Sequence, residues 1–146
     1  MLSTTSAYAL RALSRLAREP QGGSLLGRDL AREAHVPEQY LPKLMLMLRH
    51  AGLVGASRGT GGGYRLKRAP KQIRLLEVVE VFDGPFGEPG CVLGVNPVCM
   101  ETNACAAHAA WKRVRDEYMQ FLTQTTIEDL AASAPGHAME FPGGQP

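Results

Sequence analysis

Between Gly59 and Gly63, four of five residues are glycine and only Thr60 carries a side chain. A stretch so poor in side chains is unsuited to the interior of a helix or strand, so Arg58 to Gly63 reads as a tight loop. On either side, Leu53-Val54-Gly55-Ala56 and Tyr64-Arg65-Leu66-Lys67 read as two short strands that the loop folds into a hairpin.

Three helices are expected ahead of it. From Thr5 to Arg18, Leu10, Leu13, Leu16 and Ala17 recur at helical spacing, with arginines on the other faces. Glu19-Pro20-Gln21-Gly22-Gly23 ends that helix, and Ser24 is a candidate cap for a second one carrying Leu25, Leu26, Leu30, Ala31 and Ala34. After His35-Val36-Pro37, a third element spans Glu38 to Ala51, with Leu41, Leu44, Leu48 and Ala51 three or four apart, and Gly52 supplies its stop. Pro42 lacks a backbone donor, so a late start, a distorted first turn or a kink is expected there. Helix, helix, helix, hairpin is the winged-helix order, and the fold class expected is mainly α with a small β-hairpin wing.

The chain of 146 residues has a net charge of +2, which hides a strong asymmetry. Residues 1–74 hold 13 Lys/Arg against 4 Asp/Glu, and residues 75–146 hold 3 against 10. A basic half points to a polyanionic partner. No apolar run approaches the roughly 18 to 20 residues of a membrane helix. Arg11, Arg15 and Arg18 interrupt any signal-peptide core. A cytoplasmic location and no membrane partner are expected.

In a helix-turn-helix the second helix enters the major groove of double-stranded DNA with its N-terminal side chains at the base edges. Gln39, Tyr40 and Lys43 lie near the start of that element. Gln can bond an adenine edge twice, Lys can donate to guanine, and Tyr can contact phosphate. The wing, with Arg58, Gly59, Thr60, Gly61 and Arg65, can approach a phosphate backbone closely, and Arg58 suits a narrow minor groove. Glycine-rich loops also cradle nucleotides, but this one is followed neither by Gly-Lys-Ser/Thr nor by a helix.

Beyond the hairpin, Leu75 to Phe82 reads as a short helix, and glycine or proline fills five of the eight positions from Asp83 to Gly90. From Ala106 a long helix carries Trp111, Val114, Tyr118, Phe121, Leu122 and Thr125 as one stripe. Such a stripe either docks on its own domain or pairs with a second chain, and separation by the loop favours a homodimer. Thr126 to Leu130 reads as a capped short helix. The organisation expected is a DNA-binding domain over 1–82, a cysteine-bearing loop over 83–105, a dimerisation helix and short final helix over 106–132, and a disordered tail over 133–146.

Cys91, Cys99 and Cys105 fall within 15 consecutive residues, and His108 lies one helical turn beyond the last. An odd count so confined suits a ligand cluster better than a disulfide framework. Three thiolates with His108 as a fourth ligand can hold an iron-sulfur cluster or zinc. The absence of a C-x-x-C pair counts against zinc, a metal-free thiol switch is a third reading, and His108 can equally be an exposed helix residue. A metal-carrying scaffold that binds no DNA is a further alternative. His35, His50, His108 and His137 are scattered and no cysteine has an evident base partner, so no enzyme is expected.

Taken together, these residues resemble the winged-helix iron-sulfur transcriptional regulator family that includes the cluster regulator IscR, the nitric-oxide-sensing repressor NsrR and the iron-responsive regulator RirA. The resemblance covers about residues 2–132. It rests on Tyr40-Leu41 with Leu44 and Leu48, on Arg49-His50-Ala51-Gly52-Leu53-Val54, on Arg58 through Tyr64, on Leu76-Glu77-Val78-Val79 with Gly84-Pro85, and on the three cysteines. It implies a homodimer crossing through the long helix, with recognition helices in major grooves and wings in adjoining minor grooves. It also implies a two-iron or four-iron cluster on Cys91, Cys99 and Cys105 that switches DNA affinity in a repressor or activator. The chain departs from the family in its first cysteine gap of seven residues where five is usual, in Pro42 where the cluster regulator has a glutamate, and in Ala7 where some nitric-oxide sensors have a carboxylate ligand.

Overall fold

The computed structural model describes residues 2–60, 62–85 and 100–132. Its elements run α1 (Thr4–Leu16), α2 (Gly27–Glu33), α3 (Leu41–His50), β1 (Val54–Ser57), β2 (Gly63–Leu66), α4 (Leu75–Asp83), α5 (His108–Gln124) and α6 (Ile127–Ala131). The fold is mainly helical with one two-stranded antiparallel sheet.

Helix α1 is the centre of the packing, touching α2, α3, α4, α6 and β2. Its Ala9, Ala12 and Leu13 have no exposed surface. Two alanines on the inner face let neighbouring helices approach closely, and burying Leu13 contributes about 2–3 kcal/mol. Ser3 caps the helix by accepting from the Ser6 amide at 3.0 Å. The buried hydroxyl of Ser6 in turn donates to Asp83 Oδ2 at 2.8 Å, tying α1 to the end of α4.

Helix α2 starts later than Ser24. Its first residue is Gly27, and no side chain caps it. Ser24 and Leu25 are held instead by the wing: the Leu25 amide donates to Tyr64 O at 3.0 Å and the Tyr64 amide returns to Leu25 O at 2.8 Å. That pair of backbone bonds adds a third, one-residue rung to the hairpin, which outweighs the capping preference of Ser24. At its other end α2 closes with the left-handed His35 (φ 53°). The His35 amide donates to Arg32 O at 3.3 Å and that of Val36 to Ala31 O at 2.9 Å, a Schellman closure.

Helix α3 also begins late, at Leu41, with Pro42 in its first turn where no amide donor is needed. Gln39 and Tyr40 therefore stand on the turn that leads into α3 and only Lys43 on its first turn, the late start being one of the outcomes expected from Pro42 for an element read as Glu38 to Ala51. Gly52 (φ 76°) ends α3 in a second Schellman closure, its amide donating to Arg49 O and that of Leu53 to Leu48 O, both at 3.0 Å.

The hairpin pairs Val54 with Leu66, Gly55 with Arg65, Ala56 with Tyr64 and Ser57 with Gly63. Helix α5 starts at His108 rather than Ala106, because Cys105 O accepts from the His108 amide at 3.0 Å and closes a turn first. Leu122 near the end of α5 and Ile127 in α6 are fully buried in the same core as α1. Thr126 caps α6 reciprocally, accepting from the Asp129 amide at 3.2 Å while Asp129 Oδ2 accepts from the Thr126 amide at 2.8 Å. Residues 133–146, expected to be a disordered tail, lie outside the described residues.

Candidate nucleic-acid interface and cysteine site

The outer face of α3 follows from what its inner face buries. Leu41, Leu44, Met45 and Leu48 are buried, which leaves Pro42, Lys43, Leu46, Arg49 and His50 exposed. Gln39 and Tyr40 are exposed just ahead of them. Tyr40 is not free to wander, since its ring stacks on Tyr8 of α1 with centroids 6.4 Å apart and planes at 27°. The Arg11 guanidinium lies 4.8 Å from the Tyr8 ring centroid, and burial lowers the pKa of Arg11, with the nearby Tyr8 opposing that shift. Local pattern does not flag the Tyr8 ring as a partner of Tyr40, because the contact joins positions 32 residues apart.

The wing presents Arg58, Gly59 and Thr60 as exposed residues; Gly61 lies outside the described residues. Its glycines answer to packing as well as to access. A Cβ on Gly63 (φ 128°) would sit 2.2 Å from the carbonyl oxygen of Leu25, so only glycine lets the Leu25 strand pair with the wing.

Charge is sorted by position. Arg15 is bound by Glu19 and Glu33, at 2.7 and 2.6 Å. Arg32 pairs with Asp29 at 3.0 Å, and Arg68 with Glu77. Arg68, just past the end of the hairpin, is thereby turned towards α4. Lys43, Arg49, Arg58, Arg65 and Lys67, on α3 and the wing, have no carboxylate partner among the described residues. Arg18, Arg28 and Lys71, elsewhere on the basic half, also have no carboxylate partner among the described residues, so what sets the α3 and wing cations apart is that several of them line one groove.

Of the four candidate cluster ligands, two lie among the described residues. Cys105 is half-buried and makes no disulfide. His108 follows one turn later, half-buried, with its Nε2 shielded from solvent. Cys91 and Cys99 lie outside the described residues, and among the described residues no three His, Cys, Asp or Glu side chains converge on a metal-sized site. The donors that are described suit a thiophilic centre: a free sulfur and an imidazole, adjacent at the head of α5.

Helix α5 divides its apolar stripe. Leu122 is fully buried and Trp111 and Tyr118 half-buried, whereas Val114 and Phe121 are 46% and 47% exposed. Burial, and secondarily the Asp83 carboxylate, push the Tyr118 pKa up. Among the described residues no helix is long and apolar enough to cross a membrane.

Comparison with known proteins accords with this architecture. The Rrf2 family model, described as an iron-dependent transcriptional regulator, matches residues 2–133. The HTH-type transcriptional regulator CymR of Bacillus subtilis (strain 168) is 33% identical over 136 residues, covering 92% of each chain. The solved structure of CymR (YrzC), the global cysteine regulator of B. subtilis, matches with a TM-score of 0.78 and 32% identity, over 92% of this chain and 98% of that one. That of T. potens IscR matches with a TM-score of 0.68 and 25% identity, over 93% of each. The helix order, the hairpin wing and these matches together establish that the chain belongs to the Rrf2 family of winged-helix transcriptional regulators and is not an enzyme.

Proposed function

We propose that this regulator binds operator DNA as a homodimer and that an iron-sulfur cluster on Cys91, Cys99 and Cys105, with His108 as fourth ligand, sets its affinity. The observation that carries the reading is the confinement of three cysteines to the segment joining α4 to α5, with Cys105 a free thiol one turn from His108. The family's description as iron-dependent supports it. A bound cluster would supply sensitivity to iron supply, nitric oxide or oxidants, and both its two-iron and four-iron forms suit the ligand set.

The chain's own contacts explain how a change at the cysteines reaches the reading head. At one end of the loop Asp83 is held by Ser3 and Ser6 of α1, and α1 carries Tyr8 against Tyr40. At the other end Cys105 and His108 head α5, whose Leu122 is embedded in the head's core. Val114 and Phe121, left uncovered on α5, suit a second copy of the chain. In the DNA complex Gln39, Tyr40 and Lys43 face the major groove, and Arg58, Gly59, Thr60, Gly61 and Arg65 the minor groove and its backbone. Repression and activation are both open to such a device.

Anaerobically purified protein should contain iron and sulfide and absorb broadly in the visible, and Cys99→Ala should abolish both. Stoichiometric zinc, or no metal, would sink the cluster. Lys43→Ala and Arg58→Ala should each weaken binding to the selected operator, by about 1–3 kcal/mol for a lost base contact.

A second reading has a specific basis. The CymR relative is described as a cysteine regulator, and Cys105 is a free thiol, so a metal-free thiol switch at the same three cysteines is the competing mechanism. It predicts colourless protein whose DNA affinity follows thiol oxidation.

A further inference from the structure

Between the outer face of α3 and the outer face of the hairpin lies a groove of about 340 Å³, lined by Leu46, Arg49, His50, Gly55, Arg65 and Lys67 among others. We infer that this groove is the seat of the DNA strand that separates the major groove read by α3 from the minor groove entered by the wing, with Arg49, Arg65 and Lys67 holding its phosphates. The inference rests on the operator-binding reading above and adds to it a site, together with Arg49 and Lys67, which the reading does not use, beside Arg65, which it does.

The argument is geometric first. A helix in one groove and a wing in the next straddle the sugar-phosphate strand between them, so a cleft between helix and wing must accommodate that strand. The chain provides such a cleft. Its floor is Gly55, opposite Arg65 in the ladder. The nearest atoms to a Cβ there would be those of the Lys67 and Arg65 side chains, at 3.5 and 3.6 Å, so the missing side chain lets both cations fold over the floor.

Charge agrees with shape. Among the described residues no carboxylate lines the groove and its Arg49, Arg65 and Lys67 have no carboxylate partner, unlike Arg15, Arg32 and Arg68 elsewhere in the chain. Three cations gathered without a counter-charge repel one another, and a phosphodiester relieves that repulsion. Leu46, 46% exposed, forms the apolar lip on the helix side.

Phosphate seats and base readers differ in what their loss does, and that difference makes the test. Duplexes selected by the wild-type chain from a randomised pool, and a scrambled control, are titrated with the Arg49→Ala, Lys67→Ala double variant, and separately with Gly55→Glu, which places a carboxylate on the floor. Both variants should keep the wild-type unfolding midpoint yet lose affinity on the order of tenfold or more for both duplexes alike. In the double variant the slope of log affinity against log salt should flatten by about one to two. Ethylation interference should mark phosphates between the helix and wing footprints with wild type, and not with the double variant.

Wild-type affinity and salt slope in the double variant would overturn the seat. So would loss of discrimination with an unchanged slope, the signature of a base reader. Displacement of duplex from wild type, but not from the double variant, by inorganic phosphate at constant ionic strength would make the groove a pocket for free anions instead. A wild-type chain that binds no duplex at all would sink the operator reading itself and the seat with it, a result distinct from failure of the seat alone.

Discussion

The ring of Tyr8, in the second turn of α1, stacks on that of Tyr40, the last residue before α3, at a centroid distance of 6.4 Å. The pair fixes where α3 begins, because Tyr40 O accepts from the Leu44 amide at 3.2 Å and opens the helix. An aromatic pair contributes about 0.5–1.5 kcal/mol beyond its buried area. Tyr8→Leu should therefore lower affinity for the selected duplex about three- to tenfold while the fold survives. Unchanged affinity would show that the turn before α3 holds its shape unaided.

Gly63 and Gly59 share a loop but not a constraint. Gly63→Ala must push a Cβ into the Leu25 carbonyl, so it should cost at least about 2 kcal/mol and detach the Leu25 rung. Gly59→Ala meets nothing within 4 Å and carries only the left-handed φ of 89°, a cost of about 1–2 kcal/mol. Chemical denaturation of the two variants should rank them in that order, and equal losses would contradict the close approach.

His35 sits at a left-handed position that favours glycine. His35→Gly removes a strain of about 1–2 kcal/mol but adds about 0.5–1 kcal/mol of unfolded-state entropy. A net gain of about 0.5–1 kcal/mol, or roughly 1–4 °C in Tm, is expected. A lowered Tm would mean that the imidazole itself contributes to the closure.

Two carboxylates make the fold acid-sensitive. At Asp83, burial pushes the pKa up, but bonds from Ser3 and Ser6 outweigh it and hold the group below the ordinary carboxylate range. At Asp129, the Thr126 amide and hydroxyl likewise hold it low. Because both folded values are depressed below an unfolded value of about 3.9, their stabilisation is present above that value and drains as pH falls through the folded values. The urea midpoint should fall between pH 6 and pH 3, and more gently in an Asp83→Asn, Asp129→Asn double variant. An equally steep fall in the variant would place the acid sensitivity elsewhere.

Much of the fold was legible because its signals are local. The periodicity of Leu10, Leu13 and Leu16 marks α1, Gly52 stops α3 where expected, and the Thr126–Asp129 cap falls where the sequence places it. The misreadings arose where a distant partner overrode a local preference. Ser24 has the chemistry of a cap but lies beside a segment that the wing recruits. Tyr40 remains a candidate phosphate contact, and its stacking on Tyr8 adds a long-range partner that no neighbouring residue signals. On the candidate interface, Lys43 and Arg58 could be chosen from position alone. Lys67 reads as part of the returning strand of the wing, but that it lines one groove with Arg49 could not be read, because the groove exists only once helix and hairpin are packed together.

Composition and spacing alone determined a basic half, three helices ahead of a glycine-closed hairpin, and three thiols within fifteen residues, since each is a property of residues near one another in the chain. Only the tertiary structure decided which cations are neutralised and which stand bare. Arg15, Arg32 and Arg68 are chemically equivalent to Arg49 and Arg65, yet among the described residues the fold brings a carboxylate within reach of the first three and not of the other two. Coulomb attraction falls with distance, so the fold, by setting those distances, determines where the chain presents its charge to DNA.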